Sequence, residues 1–157
     1  MALSRIDLCD LRSPQAIAAA LHVQLGQVAT PVPIEDIARE LGILQIRTQS
    51  FDGFEGMLLT DQVRSRGSIL ANTARGQRRA RFTIAHELGH FLMEWHLLSD
   101  AGGFTCRAKD MRETREARQD QRQETQANRF AIEILAPPNL MIPVLSPDPN
   151  LRDAQRL

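Results

Sequence analysis

Arg81-Phe82-Thr83-Ile84-Ala85-His86-Glu87-Leu88-Gly89-His90-Phe91-Leu92-Met93 carries the pattern H-E-x-x-H inside an apolar run. On a helix, His86 and His90 stand one turn apart, so both imidazoles leave the same face and can close on one metal ion. Glu87 projects from the neighbouring strip, within reach of a water on that metal. These residue types suit zinc, which binds neutral imidazoles well and keeps one position open for water at catalytic sites. The metal would lower the pKa of that water toward neutrality, and Glu87 would take its proton. Phe82, Ile84, Ala85, Leu88, Phe91 and Leu92 mark the helix as buried, where two histidines and a glutamate need a reason. Gly89 costs a helix interior about 1 kcal/mol against alanine, which points to a close neighbour passing over it.

A catalytic zinc takes three protein ligands. His96 would give H-E-x-x-H-x-x-x-x-x-H, the metzincin spacing. That spacing depends on a helix-breaking glycine where this chain has Met93. A helix continuing through Leu92-Met93-Glu94 would turn His96 away from the other two, toward a helix end near the rim of the site. Glu124 is the better third ligand. It begins Glu124-Thr125-Gln126-Ala127-Asn128-Arg129-Phe130-Ala131, the start of an apolar helical face. Packing that face on the metal helix brings Glu124 to the metal, and Asn128, one turn on, can orient His86 or His90. Glu133, further along, is the weaker alternative. Two histidines from one helix and a carboxylate from the next make a gluzincin-like arrangement.

The remaining chain reads as a single α+β domain spanning 1–157, a length sufficient for one core. Ser13-Pro14 opens the first of the N-terminal helices (14–42), with serine as cap and proline in the first turn. Ile34, Ile37, Ala38 and Leu41 stripe a short second helix that Gly42 stops. That helix could serve a DNA-binding helix-turn-helix, but the recognition helix is missing. Strands follow over 43–72: Ile43–Thr48, Phe54–Thr60 and Ser68–Asn72, about three and antiparallel by their short connections. The H-E-x-x-H helix covers 77–95, a loop 97–111, the ligand helix 112–136 and a proline-rich tail 137–157. Residues 112–126 are charged nearly throughout, as a solvated helix or mobile loop would be.

Nineteen acidic residues balance nineteen basic ones, which removes any global argument for nucleic acid or an anionic membrane. Arg75, Arg78, Arg79 and Arg81 crowd the start of the metal helix, against its macrodipole. They form a solvated face or a dock for an acidic partner. Cys9 and Cys106 make neither a zinc knuckle nor a disulfide framework. With no leader-like apolar run at the start, the expectation is a cytoplasmic protein.

The blocks Arg81–Leu92 and Glu124-x-x-Ala127-Asn128-x-Phe130-Ala131-x-Glu133-Ile134-Leu135-Ala136-Pro137, preceded by Pro33–Ile43, resemble the ImmA/IrrE family of metallopeptidases over roughly residues 30–140. The resemblance implies a bacterial or mobile-element protein with a gluzincin-like core. It implies zinc at His86, His90 and Glu124, with Glu87 catalytic. It also implies a helix-turn-helix transcriptional repressor as the protein substrate. The stretch 91–123 holds an arginine-rich insert that could face that substrate. The expectation is therefore a zinc-dependent endopeptidase, with Ser68–Asn72 as an edge strand for an extended substrate. With no tyrosine in the chain, the oxyanion helper falls to His96 or the arginines. The rival is a catalytically silent, zinc-stabilised partner-binding module of regulatory or antitoxin type, against which an intact Glu87 argues.

Overall fold

Local sequence signals place the first helix. The computed structural model describes residues 3–26, 31–98, 103–106, 115–137 and 141, with the side chains of 103–106 and 115–118 left aside. Helix α1 spans Pro14–Leu25; Ser13 caps it, its Oγ accepting from the Ala16 N–H at 3.2 Å. Gly26 ends it at φ 68°, the left-handed conformation that glycine adopts without strain. Helix α2 spans Ile34–Glu40 and buries Ile34, Ile37 and Ala38. It turns through Gly42 (φ 107°) directly into strand β1, Ile43–Gln49.

Strands β2 (Gly56–Thr60), β3 (Gly67–Asn72) and β4 (Gly103–Cys106) complete a four-stranded sheet of order β1-β3-β2-β4. The expected fold class holds, but the sheet corrects two of its details. β1 runs parallel to β3, while β3–β2 and β2–β4 are antiparallel. β3 therefore lies inside the sheet instead of ending a meander. Its composition suits that place: Ile69 and Ala71 are buried and Leu70 half-buried, apolar on both faces. Asn72, at the end of β3, ties down the connection between β1 and β2. Its Nδ2 donates to the carbonyls of Phe51 (2.7 Å) and Phe54 (2.8 Å), and its Oδ1 accepts from the Ala74 N–H. The connection after β1 is thus tied back across the end of β3 rather than folded as a hairpin. The second correction is β4, which occupies the stretch expected to be loop. It is four residues long, too short for a period to show.

Helix α3 spans Gln77–Leu92 and α4 spans Arg115–Leu135. The sheet covers one side of α3 and α4 packs on another, with α1 against α4. The arginines at the start of α3 are tied down by the fold. Arg75 and Arg79 both reach Glu55, each at 3.1 Å. Arg81 reaches Glu35 at 3.3 Å and the Val32 carbonyl. Those three charges each have an acidic partner within the fold. α3 also ends earlier than expected, at Leu92 with Met93 as its cap. Residues 107–114, which hold part of the expected insert, and the tail beyond 141 lie outside the described residues. Among the described residues no helix is long and apolar enough to cross a membrane.

Ala127, Phe130, Ala131 and Ile134, all fully buried, form the stripe by which α4 docks. Gly89 lets it come close: a Cβ built there would lie 2.9 Å from Phe130 Cδ1. Phe130→Ala should destabilise the protein by about 3–5 kcal/mol. Ile132→Ala, at a half-exposed position of the same helix, should stay within about 0.5 kcal/mol. Urea denaturation of the two variants measures the contrast.

Candidate metal centre

α3 presents His86 and His90 one turn apart, with ring centroids 4.8 Å apart and Nε2 atoms 3.1 Å apart. Both rings and Glu87 are buried. α4 supplies Glu124, one turn before Ala127, so the stripe that docks the helix also delivers the carboxylate. Glu124 Oε2 lies 3.1 Å from His86 Nε2, and its Oε1 lies 3.1 Å from His90 Nε2. One donor atom from each of the three lies within 4.8 Å of the others, a group that could hold a metal ion.

The far nitrogens of both rings are also engaged. His86 Nδ1 lies 3.0 Å from Asn128 Oδ1. His90 Nδ1 lies 2.9 Å from His96 Nδ1. His96 is neither with the three donors nor at the rim: it is buried behind His90, 1% exposed. The early end of α3 lets it swing back. The Arg64 guanidinium donates to the carbonyls of Met93 and His96, holding the turn that follows the helix. Glu133 faces elsewhere and pairs with Arg129 at 2.7 Å.

Sequence reasoning passed over Arg64, Gln126, Trp95 and Gly56. Gly56 opens β2 directly against Glu87: a Cβ there would lie 2.6 Å from Glu87 Oε1 and 2.3 Å from Thr83 Cγ2. A glycine at the head of an apolar strand was the one available signal. Arg64 stands in a turn at φ 51° and had none.

The electrostatics favour the ligand forms of His90 and Glu124 and oppose that of His86. Burial pushes His90 down to about 4, beyond what the Glu124 hydrogen bond restores. Burial also dominates at His96, pushed down to about 3 with His90 and Arg64 adding to it. Burial would raise Glu124, but the hydrogen bonds from His86 and His90 hold it well below the usual carboxylate range. At His86 burial lowers the pKa, and Glu124, Glu87 and Asn128 together more than reverse it. A neutral His90 beside an ionised Glu124 is the protonation state in which such groups bind metal.

A search of curated proteins returned no match to this chain. The peptidase M78 family model, described as the IrrE N-terminal-like domain, matches residues 38–153. That span contains the sheet, α3 with its histidine pair, and α4 with Glu124. A peptidase family implies a protein substrate, and the three-donor group fits a metallopeptidase. The chain belongs to the ImmA/IrrE family of metallopeptidases.

Proposed function

We propose that this protein is a zinc-dependent endopeptidase in which His86, His90 and Glu124 hold the metal and Glu87 is the general base. The separations among the three donors carry the proposal. Zinc sits about 2.0–2.2 Å from imidazole nitrogen and carboxylate oxygen, so tetrahedral ligands are spaced by roughly 3.3–3.5 Å. The two imidazole nitrogens stand 3.1 Å apart, and each lies 3.1 Å from one of the two Glu124 oxygens, so the carboxylate faces both rings at close to that spacing. Zinc held there supplies Lewis acidity, polarising a scissile carbonyl and acidifying a water.

The chain's own residues supply the rest. Glu87 leaves α3 on the strip next to the histidines. It takes the proton of the attacking water and returns it to the leaving amine. Gly56 bounds the space beside that carboxylate. β3, interior to the sheet, has no free edge for substrate. Among the described residues the outer strands are β1 and β4, and β4 lies closer to the chemistry. Its Cys106 pairs with Gly56, which abuts Glu87. An extended substrate segment would add to β4 as a further strand. The substrate we propose is a helix-turn-helix repressor, the class implied by the family resemblance, and a repressor substrate places the enzyme in the cytoplasm.

Three outcomes test this reading. Glu124→Ala should lose zinc that the wild type retains at near one ion per chain, measured by mass spectrometry after desalting; retention would remove Glu124 from the ligand set. Glu87→Gln should keep its zinc and lose cleavage of a repressor panel by about 10²–10⁴-fold. A partner-binding module would instead bind its target equally well with either residue and cleave with neither. Gly56→Ala should keep zinc while lowering kcat more than it raises KM, because its new methyl displaces the Glu87 carboxylate.

A further inference from the structure

Glu124 stands near the edge of the packed part of α4. Residues 119–122 ahead of it are exposed, and the apolar stripe begins only at Ala127, one turn after it. A helical turn with nothing packed on it is free to fray. Apolar contact is also non-directional, so the stripe alone does not fix how α4 is rolled about its axis. Hydrogen bonds are directional, and α4 makes them just here. Gln123, 6% exposed, accepts through Oε1 from the Leu97 N–H. Gln126 Oε1 accepts from the Trp95 indole N–H at 3.1 Å and lies 2.9 Å from His96 Nε2. All three contacts come from the turn that follows α3. At about 100° per residue, Gln123 extends the line of the stripe, Gln126 falls to one side of it, and Glu124 and Asn128 fall to the other. The turn therefore grips α4 along and beside the stripe, and the histidines meet its opposite flank.

We propose that the turn 93–97 is a clamp on α4: its bonds to Gln123 and Gln126 fix the roll of the helical turn that carries Glu124, and so aim that carboxylate at His86 and His90. The inference rests on the zinc-site reading above and adds to it positioning residues that do not themselves hold the metal. Arg64 locks the clamp. It is 3% exposed, and its guanidinium donates to the carbonyls of Met93 and His96, near the two ends of the turn. Arg5 donates to the Arg64 carbonyl at 2.7 Å, and its guanidinium carbon stands 4.5 Å from the centre of the Phe91 ring on α3. The turn is thus anchored to α3 and to the β2–β3 connection independently of α4, and it presents its N–H groups from fixed places. A backbone N–H and an indole N–H can only donate, so each bond needs the amide oxygen that its glutamine supplies. Each such bond favours the held position of α4 by about 2–10-fold.

The test has two readouts besides activity. Gln123→Met and Trp95→Phe each delete one bond of the clamp and keep most of the side chain's bulk. The first readout is zinc affinity, by competition with a chromophoric chelator, for each change made with Glu124 present and in a Glu124→Ala background. Each should weaken binding by about 2–10-fold with Glu124 present. Neither should alter the residual affinity of the Glu124→Ala protein, where no carboxylate remains to be aimed. Equal losses in both backgrounds would mean that the turn only supports the fold, and no loss in either that it positions nothing; both results overturn the clamp. The second readout is amide hydrogen exchange of the metal-free protein. Gln123→Met and Trp95→Phe should speed exchange at residues 124–127 and leave residues 130–134 as in the wild type. Acceleration along the whole helix, or none, overturns the proposal. A wild type that binds no zinc would defeat the proposed function, while the metal-free exchange would still decide whether the turn holds Glu124.

Discussion

The close contact between α3 and α4 is the constraint on which the site depends. Neither helix carries a complete set of donors. α3 offers two imidazoles, and α4 offers a carboxylate at the boundary between its charged first half and its apolar second half. The two meet because Phe130 lies against the turn of α3 that has no side chain at Gly89. A methyl group there would push the helices apart at the level of the site. The helix therefore accepts a residue that costs about 1 kcal/mol in propensity in exchange for an approach that a larger residue would forbid. α1 supports α4 from behind, with His22 Nε2 3.2 Å from the Glu133 carbonyl, so the N-terminal helix contributes to the site without touching it.

The donors were legible in the sequence because their signals are local. His86, Glu87 and His90 share one helical turn, and Glu124 precedes a four-residue stripe of unmistakable period. Asn128 could be placed for the same reason, being one turn from Glu124. The cap at Ser13 and the stop at Gly26 are equally local. Strand order was not legible, because β1 meets β3 through a pairing that skips the intervening strand, and because the Asn72 side chain that restrains the 50–55 connection looks in sequence like any turn asparagine.

The end of α3 shows the same limit more sharply. Propensity favours a helix through Leu92-Met93-Glu94, and the sequence offers no glycine to stop it. The helix stops because a buried guanidinium from the β2–β3 turn takes the carbonyls of Met93 and His96, satisfying acceptors that a helix end leaves open. That event is tertiary and depends on an arginine far away in the chain. His96 was misplaced as a direct consequence. Its spacing from His86 suggested a ligand and the continuing helix suggested the rim, whereas the observed turn carries it behind His90.

The surroundings of the two histidines act differently on a proton. A carboxylate at Nδ1 would strengthen the ligand's basicity and stabilise the imidazolium as well. Behind His90 stands the buried ring of His96, and burial takes His90 down to about 4. Its lone pair stays available through the neutral range. His86 belongs to the same helix and shares Glu124 with His90 at 3.1 Å, but Glu87 and the Asn128 amide act on it as well, and its pKa moves the other way. The negative charge that would draw a divalent cation to the proposed site therefore also draws a proton to His86, while burial opposes one at His90.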